Sequence, residues 1–450
     1  MIARTRKLIN DLEETFWLIP AFMVLLGVLL ALVLVSVDRK GIPSDWLLQG
    51  SWLYTGGATG ARTLLGAVAS SMIGVAGTVF SITIAALSLA AGQMGPRLLS
   101  NFTKDRGNQI TLGAFLGTFS YALMVLQSVR TPDEGDFVPH LALSVGILLA
   151  LMCVATLVYF VGHMANRISV DTVIDLVSDD VRSAIDRLTV ESTQPDPPAN
   201  AFWNGATLIS DPRRGYLQQL DESGLADWAH EHGTAIRLLV RPGHYVFPGA
   251  PIAASTAKVE GADAAIRSAT ALGPKRADSM DIEFAVRQLV EVAVRALSPG
   301  INDPHTAISV LDKLGAALCD IAPLHLKSGV SMREEAVVLV VPAIDYEGLV
   351  ATMFHMIRQN AAGNPAVLIR ILQVLSAVAS CERQPERLNV LQAHADLVLE
   401  DADRGVSTSA DLADTHAAYQ QFRETSASRS AVIRCPTSED STKKSPATEC

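Results

Sequence analysis

Hydrophobic positions fall in long unbroken runs through the first third of the chain and in short periodic ones afterwards. Four apolar segments, Phe16 to Val37, Leu64 to Gly92, Ile110 to Val129 and Leu141 to Gly162, each reach the roughly 20 residues that carry a helix across a bilayer. The first run exceeds the roughly 7–15 residues of a signal-peptide core and no small-x-small site follows it, so it is expected to stay as an anchor. Past the fourth run, Ile168, Val170, Ile174, Val177, Val181, Ile185 and Leu188 recur at helical spacing. That helix is expected to continue from the membrane as a stalk, with a neighbouring subunit as its partner. TQPDPPAN, 193–200, then breaks the chain as a linker.

From Ala201 the period shortens. Ala206 to Ser210, Gly215 to Leu220 and Thr234 to Val240 are short β-type runs, and RPGHYVFPGAPIA carries two Pro-Gly turns around Tyr245 and Val246. Helical periodicity returns after residue 259, with strand character only at Ala336 to Pro342. Helices are predicted at Asp281 to Leu297, from Asp303 onward, and near 346–360, 365–380 and 385–399. The expected fold is therefore four transmembrane helices followed by a cytoplasmic α+β region with a small β-barrel-like module and helical hairpins. Its divisions fall at 1–165 (membrane), 166–200 (stalk and linker), 201–258 (β-rich), 259–405 (mostly helical) and 406–450, a Ser/Thr-rich tail expected to be largely disordered.

Charge adds orientation. Arg4, Arg6 and Lys7 precede the first span, Arg97, Lys104 and Arg106 lie between the second and third, and Arg167 and Arg182 follow the fourth. Lys and Arg in short flanks mark the cytoplasmic side, which puts both termini in the cytoplasm. Arg39, Lys40 and Arg62 in the first external loop run against this rule. The net charge of −10, with no concentrated basic face, argues against nucleic acid as a partner. The five cysteines show no CxxC spacing, so neither a zinc site nor a disulfide framework is expected.

The second span carries the most chemistry. Ser71, Gly74, Thr78, Ser81, Ala85, Ser88 and Gly92 keep a spacing of three and four, one small or weakly polar stripe along one helix face. Gly113 and Gly117 give the third span a similar small face. Small residues let helix backbones approach closely, and hydroxyl-bearing ones can also line a polar path; both readings fit. No Asp, Glu, Lys, Arg or His lies inside the four runs, which disfavours an ion-coupled carrier. In GQMGPRLLSNFTKDRGNQ, Gly95-Pro96 stops a helix, after which Arg97, Lys104 and Arg106 are placed to meet lipid phosphates.

FWLIPAFM (16–23), VFSITIAALSLAAGQMGPRLLSNFTKDRGNQ (79–109), LGAFLGTFSYALMVL (112–126) and RALSPGINDPHTA (295–307) resemble the signature strings of the DUF2254 family of predicted bacterial integral membrane proteins. The similarity runs from about residue 10 to about residue 400. It implies a bacterial inner-membrane protein with a cytoplasmic C-terminal region, and it brings no reaction, substrate or site residue with it.

The cytoplasmic chemistry is sparse. His230 and His232, two apart on a predicted helix, point away from each other and cannot chelate one ion there. Gly243-x-x-Val246-x-x-Gly249 is similar to half of a lipoyl or biotinyl hammerhead, but no lysine stands at a hairpin tip, so a swinging cofactor is not expected. In RALSPGINDPHTA, Arg295 is expected to close a ladder of Glu283–Arg287 and Glu291–Arg295 pairs, and Asp303-Pro304 to start a helix. Asn302, Asp303 and His305 then surround the free amides of that helix start, where an anion or another subunit can bind.

These features support three functions. The first is a non-enzymatic, homo-oligomeric membrane protein, channel-like or signal-transmitting, with a cytoplasmic regulatory domain that senses a small anionic ligand or a protein. The second is a membrane-anchored scaffold or adaptor. The third is a membrane-tethered enzyme using Arg276, Asp278, Arg295, Asn302 and His305, although no P-loop, nucleophile elbow or zincin motif supports it.

Overall fold

The computed structural model describes residues 16–40, 56–94, 105–130, 137–167, 169–274, 276 and 282–434. Arg97, Lys104 and Asp278 lie outside the described residues. Two compact units divide the chain, one reaching Thr172 and the other running from Val173.

The first unit is a bundle of four helices: α1 (Leu18–Arg39), α2 (Ala58–Met94), α3 (Arg106–Ser128) and α4 (His140–Arg167). Each is long and apolar enough to cross a membrane. The four expected spans are all present, but α2 has 37 residues, about 55 Å at 1.5 Å per residue, and so outreaches the hydrocarbon core unless it tilts. α3 is the hub, packing against each of the other three. A Cβ on Gly113 would run into the Met23 side chain, and one on Gly117 would lie 2.9 Å from the Met23 carbonyl oxygen. Gly27 in turn seats against the Gly117 backbone. Residues four apart on α1 thus meet residues four apart on α3, so these two helices run parallel and glycine sets their spacing.

The second unit opens within α5 (Val170–Leu188), then β1 (Thr189–Val190), a 3-10 turn at Asn200–Trp203, β2 (Thr207–Ser210), β3 (Gly215–Leu220), α6 (Glu222–Glu231) and β4 (Ile236–Leu238). β5 (Tyr245–Val246), β6 (Pro251–Ser255), α7 (Ala262–Ala269) and β7 (Thr270–Gly273) come after it. Next are α8 (Ile282–Ala296), α9 (Pro304–Ile321), β8 (His325–Leu326), β9 (Val330–Arg333) and β10 (Ala336–Val340). α10 (Tyr346–Asn360), α11 (Pro365–Cys381), α12 (Pro385–Gly405) and α13 (Ser409–Arg434) complete it.

Two open sheets stand where a barrel-like module was expected. One has the order β2-β6-β4-β10-β9 and the other β5-β3-β7. β3 pairs antiparallel with β5 and β7, so it never joins the strands that would have to close a barrel. β10 enters from far downstream to pair parallel with β4, register Leu339 to Ile236. Parallel neighbours need a long crossover, and here it carries the α7–α9 helices. Leu217, Leu225, Ile236, Ile252, Ile266 and Leu339 share one core under both sheets, so residues 201–258 are not a module separate from α7 and β10.

The apolar stripe of α5 is buried within this chain at Val173, Ile174, Val177, Val181 and Ile185. Asp175 and Arg182 reach Lys313 (2.8 Å) and Asp320 (3.6 Å) of α9. The stripe is covered without a neighbouring subunit, contrary to the stalk expectation. The tail expectation is corrected over Ser409–Arg434, while residues 435–450 lie outside the described residues. α13 is a 26-residue helix whose Thr415, Tyr419, Phe422 and Ser426 are buried, and it packs on α11 and α12. Tyr419 donates to Asp396 at 2.6 Å and Arg429 to the Glu382 carbonyl at 2.6 Å. One apolar or hydroxyl side chain per turn is enough when a preformed groove waits, and that spacing is masked by the Ser, Thr and Ala around it.

Candidate functional site

Ser71, Gly74, Thr78, Ser81, Ala85, Ser88 and Gly92 are all exposed on α2, while Leu65, Ala69, Met72, Ala76, Val79 and Ala86 on its other side are buried. A Cβ at Gly74, Gly77 or Gly92 would meet nothing within 4 Å. The stripe therefore faces out of its own bundle. Gly113 and Gly117 do not match it: they are used inside the bundle against α1. Three of the four stripe hydroxyls are already satisfied, Thr78 by the Gly74 carbonyl (3.1 Å), Ser81 by Gly77 (2.9 Å) and Ser71 by Val68 (3.0 Å). Exposed Ile73, Phe80 and Ile84 stand beside it as ridges, which makes the stripe first a groove and only second a polar lining.

The bundle holds a polar row that the apolar pattern of the sequence does not reveal. Asp105, Asn108, Thr111 and Thr118 are buried along one side of α3. Asp105 caps the helix, accepting from the Gly107 amide, and its other oxygen lies 2.7 Å from His163 Nε2. α4 extends past Gly162, where its apolar run stops, and that extension carries His163 into the bundle. Thr118 meets Cys153 at 3.2 Å, whereas Thr111 Oγ1 and both side-chain polar atoms of Asn108 are buried without a hydrogen bond among the described residues. Arg106, the described member of the interfacial cations, is exposed at the start of α3. The Asp105–His163 pair joins α3 to α4 where both helices have an end, and leaving one partner buried alone costs about 1–3 kcal/mol. His163→Leu is accordingly expected to lower the melting temperature of the full chain in detergent, and Asp105→Asn, which still accepts a hydrogen bond, to lower it less.

The corner between α8 and α9 is built as a turn. Ser298 accepts from Ile301 and Asn302, and Asn302 takes a left-handed φ of 50°. Asp303 is the N-cap, bonded to the Thr306 amide (3.2 Å) and hydroxyl (2.6 Å), and the Thr306 hydroxyl above all holds its carboxyl below the usual range. The amide an anion would need is thus taken by Asp303, while Asn302 and His305 are exposed. The first rung of the expected ladder forms, with Glu283 holding Arg287 at 3.1 Å. Glu283 gathers Arg241 and Arg276 as well. His230 and His232 turn to different partners, Glu334 at 3.8 Å and the Trp228 carbonyl at 2.8 Å.

A cavity of about 610 Å³ opens at the carboxyl ends of β4 and β10. Arg237 and Leu238 of β4 line it with Val340 to Tyr346, the end of β10 and the start of α10. His325, Lys327 and Ser328 bound it on another side, and Gln384, Glu386 and Arg387 at the start of α12 on a third. Its wall is fixed: Arg387 lies 4.8 Å over the Tyr346 ring and donates to the carbonyls of Ile321 (3.3 Å) and Leu324 (2.9 Å). Burial first, and then the Glu382 carboxylate, pushes the Tyr346 phenol well above its ordinary value, so it stays protonated. Sequence reasoning passes over this site because its residues come from separate stretches between 193 and 390, none of them a motif.

A sequence profile described as predicted membrane protein (DUF2254) matches residues 13–377. The chain belongs to the DUF2254 family. Uncharacterised proteins of Mycobacterium tuberculosis (strain CDC 1551 / Oshkosh) and Mycobacterium bovis are each 32% identical to this DUF2254 protein over 433 residues, an alignment covering 92% of the chain and 81% of each relative. No solved structure matches it.

Proposed function

We propose that this DUF2254 protein is a non-enzymatic homo-oligomer of the bacterial inner membrane, channel-like or signal-transmitting, with both termini in the cytoplasm and the second unit acting as its regulatory domain. The α2 stripes of neighbouring copies face one another around the oligomer axis. One observation carries this reading: seven small or hydroxyl-bearing residues of a long apolar helix all face away from their own bundle. Lipid tails gain nothing from such a groove, whereas a second helix gains close packing from it, and association between helices in a bilayer depends on that packing.

Ser81→Leu and Ser88→Leu fill the groove without touching the α3 side. Reconstituted in liposomes, the wild-type chain is expected to pass ions or small solutes, and the two variants to lose that flux while keeping the wild-type melting temperature. Absence of flux from the wild type under every ionic condition removes the channel-like form and leaves signal transmission. A second reading, a membrane-anchored scaffold, draws on the exposed Leu208, Tyr245 and Phe247 of the β-rich region. A stoichiometric protein co-purifying from native membranes, and lost on Phe247→Ser, supports it.

A further inference from the structure

The cavity beside β4 and β10 is assigned no role by the oligomer, and its chemistry is specific enough to name a ligand class. In sheets with parallel strands, ligands gather beyond the carboxyl ends of those strands, where the chain diverges to either side. β4 and β10 form a parallel pair flanked on both sides by antiparallel strands, and the cavity stands at their carboxyl ends.

Arg237 and Lys327 line it alongside Arg387. Several arginines of the second unit are spent on carboxylates, among them Arg213 on Asp211, Arg267 on Asp263, Arg333 on Asp227 and Arg370 on Asp312. Neither Arg237 nor Lys327 makes a direct ion pair among the described residues, although the charge of Lys327 is felt by the Glu222 carboxyl. Arg237 is nevertheless held in place, donating to Asn200 Oδ1 at 3.3 Å with its guanidinium 6.0 Å from the Trp203 ring centre. Most of its donors remain unspent, and a guanidinium with a fixed fork matches phosphate oxygens.

The remainder of the lining is not what a bare anion needs. Leu238, Val340, Val341, Ile344 and Val390 make an apolar floor, and four exposed carboxylates, Asp196, Asp345, Glu347 and Glu386, stand around it as hydrogen-bond acceptors against the cations Arg237, Lys327 and Arg387. About 610 Å³ lies within the roughly 300–1,000 Å³ of small-molecule sites and far exceeds a phosphate ion.

We propose that this cavity binds a nucleoside phosphate, with the phosphates at Arg237 and Lys327, the base on the apolar floor and the sugar hydroxyls at the rim carboxylates. The proposal supplies the ligand for the regulatory role inferred above and rests on that reading for its purpose, but binding is measured without flux, so either can fail alone.

The test uses the full chain in detergent micelles, with ATP, GTP and AMP as probes, against adenosine and inorganic phosphate. Saturable binding of at least one nucleotide by equilibrium dialysis, with a matching rise in melting temperature, is expected. Arg237→Ala with Lys327→Ala is expected to weaken it roughly ten-fold or more, about 1.4 kcal/mol or more. Ala343→Trp, at an exposed lining position, closes the cavity without removing a charge and is expected to abolish binding in a chain of unchanged melting temperature. The proposal is overturned if none of the three nucleotides binds saturably, if phosphate alone binds as tightly, if adenosine binds as tightly, or if binding survives Ala343→Trp.

Discussion

Gly117→Val is expected to collapse the transmembrane bundle, with a loss of about 3 kcal/mol in the folded full chain and little recoverable monodisperse protein in detergent. The cause is a collision with backbone. A Cβ alone at this position would approach the Met23 carbonyl oxygen to 2.9 Å, and that obstacle cannot swing aside. Valine adds two methyl groups to the collision, so α1 must move off α3 and surrender the packing that Gly27 makes with the same turn. Two comparisons grade the effect. Gly113→Ala meets chiefly the flexible Met23 side chain and is expected to cost clearly less, while Gly77→Val meets nothing of its own bundle and is also expected to cost clearly less than Gly117→Val. Equal losses at positions 77 and 117 would mean that the helices are not arranged as described.

The second large effect lies in the helices of the second unit. Arg358 of α10 is 5% exposed and pairs with Asp401 of α12, itself 8% exposed. Removing one member of a buried ion pair strands the other charge, which costs roughly 3–5 kcal/mol. Arg358→Ala is expected at the lower end of that range, about 3 kcal/mol, because Arg404 still reaches Asp401 at 2.9 Å from an exposed position. His394 cannot compensate: burial first, then His355 and Arg358, lowers its pKa to about 4, so it is neutral at pH 7. Replacing both partners, Arg358→Met with Asp401→Leu, is expected to recover most of the loss, since two apolar side chains of similar size leave no charge behind. Chemical denaturation followed by tryptophan fluorescence measures both variants; a double variant no more stable than the single one would contradict the stranded-charge account.

Much of this architecture is legible along the chain because the responsible forces act locally. The four spans need only length and hydropathy, and the α8–α9 corner needs only Ser298-Pro299-Gly300 and the Asp303-Pro304 cap. The features that stay hidden are set by distant partners. β10 lies parallel to β4 across the whole stretch from residue 239 to residue 335, which no periodicity announces, so the strands around Tyr245 read as part of a closed module. α13 buries one side chain per turn in a groove made by α11 and α12, and its composition looks disordered until that groove exists. Glu283 has ladder spacing to Arg287, but Arg241 and Arg276, which it also gathers, lie outside its helix and have no spacing to announce them. The His163–Asp105 pair is hidden when the fourth span is ended where its hydropathy ends, just short of His163. The α2 stripe is visible from its spacing, but only the packing of the other face of α2 tells which way it points.

Cysteine crosslinking in native membranes tests most directly whether this outward stripe meets a second copy of the chain. The five native cysteines are replaced and a single cysteine is placed at Ser81 or at Leu151, an equally lipid-accessible position on α4 that is 64% exposed. Rapid, specific dimer formation under mild oxidation at position 81 with none at 151 is the predicted result. Crosslinking at 151 with none at 81 would contradict it and turn the stripe toward lipid.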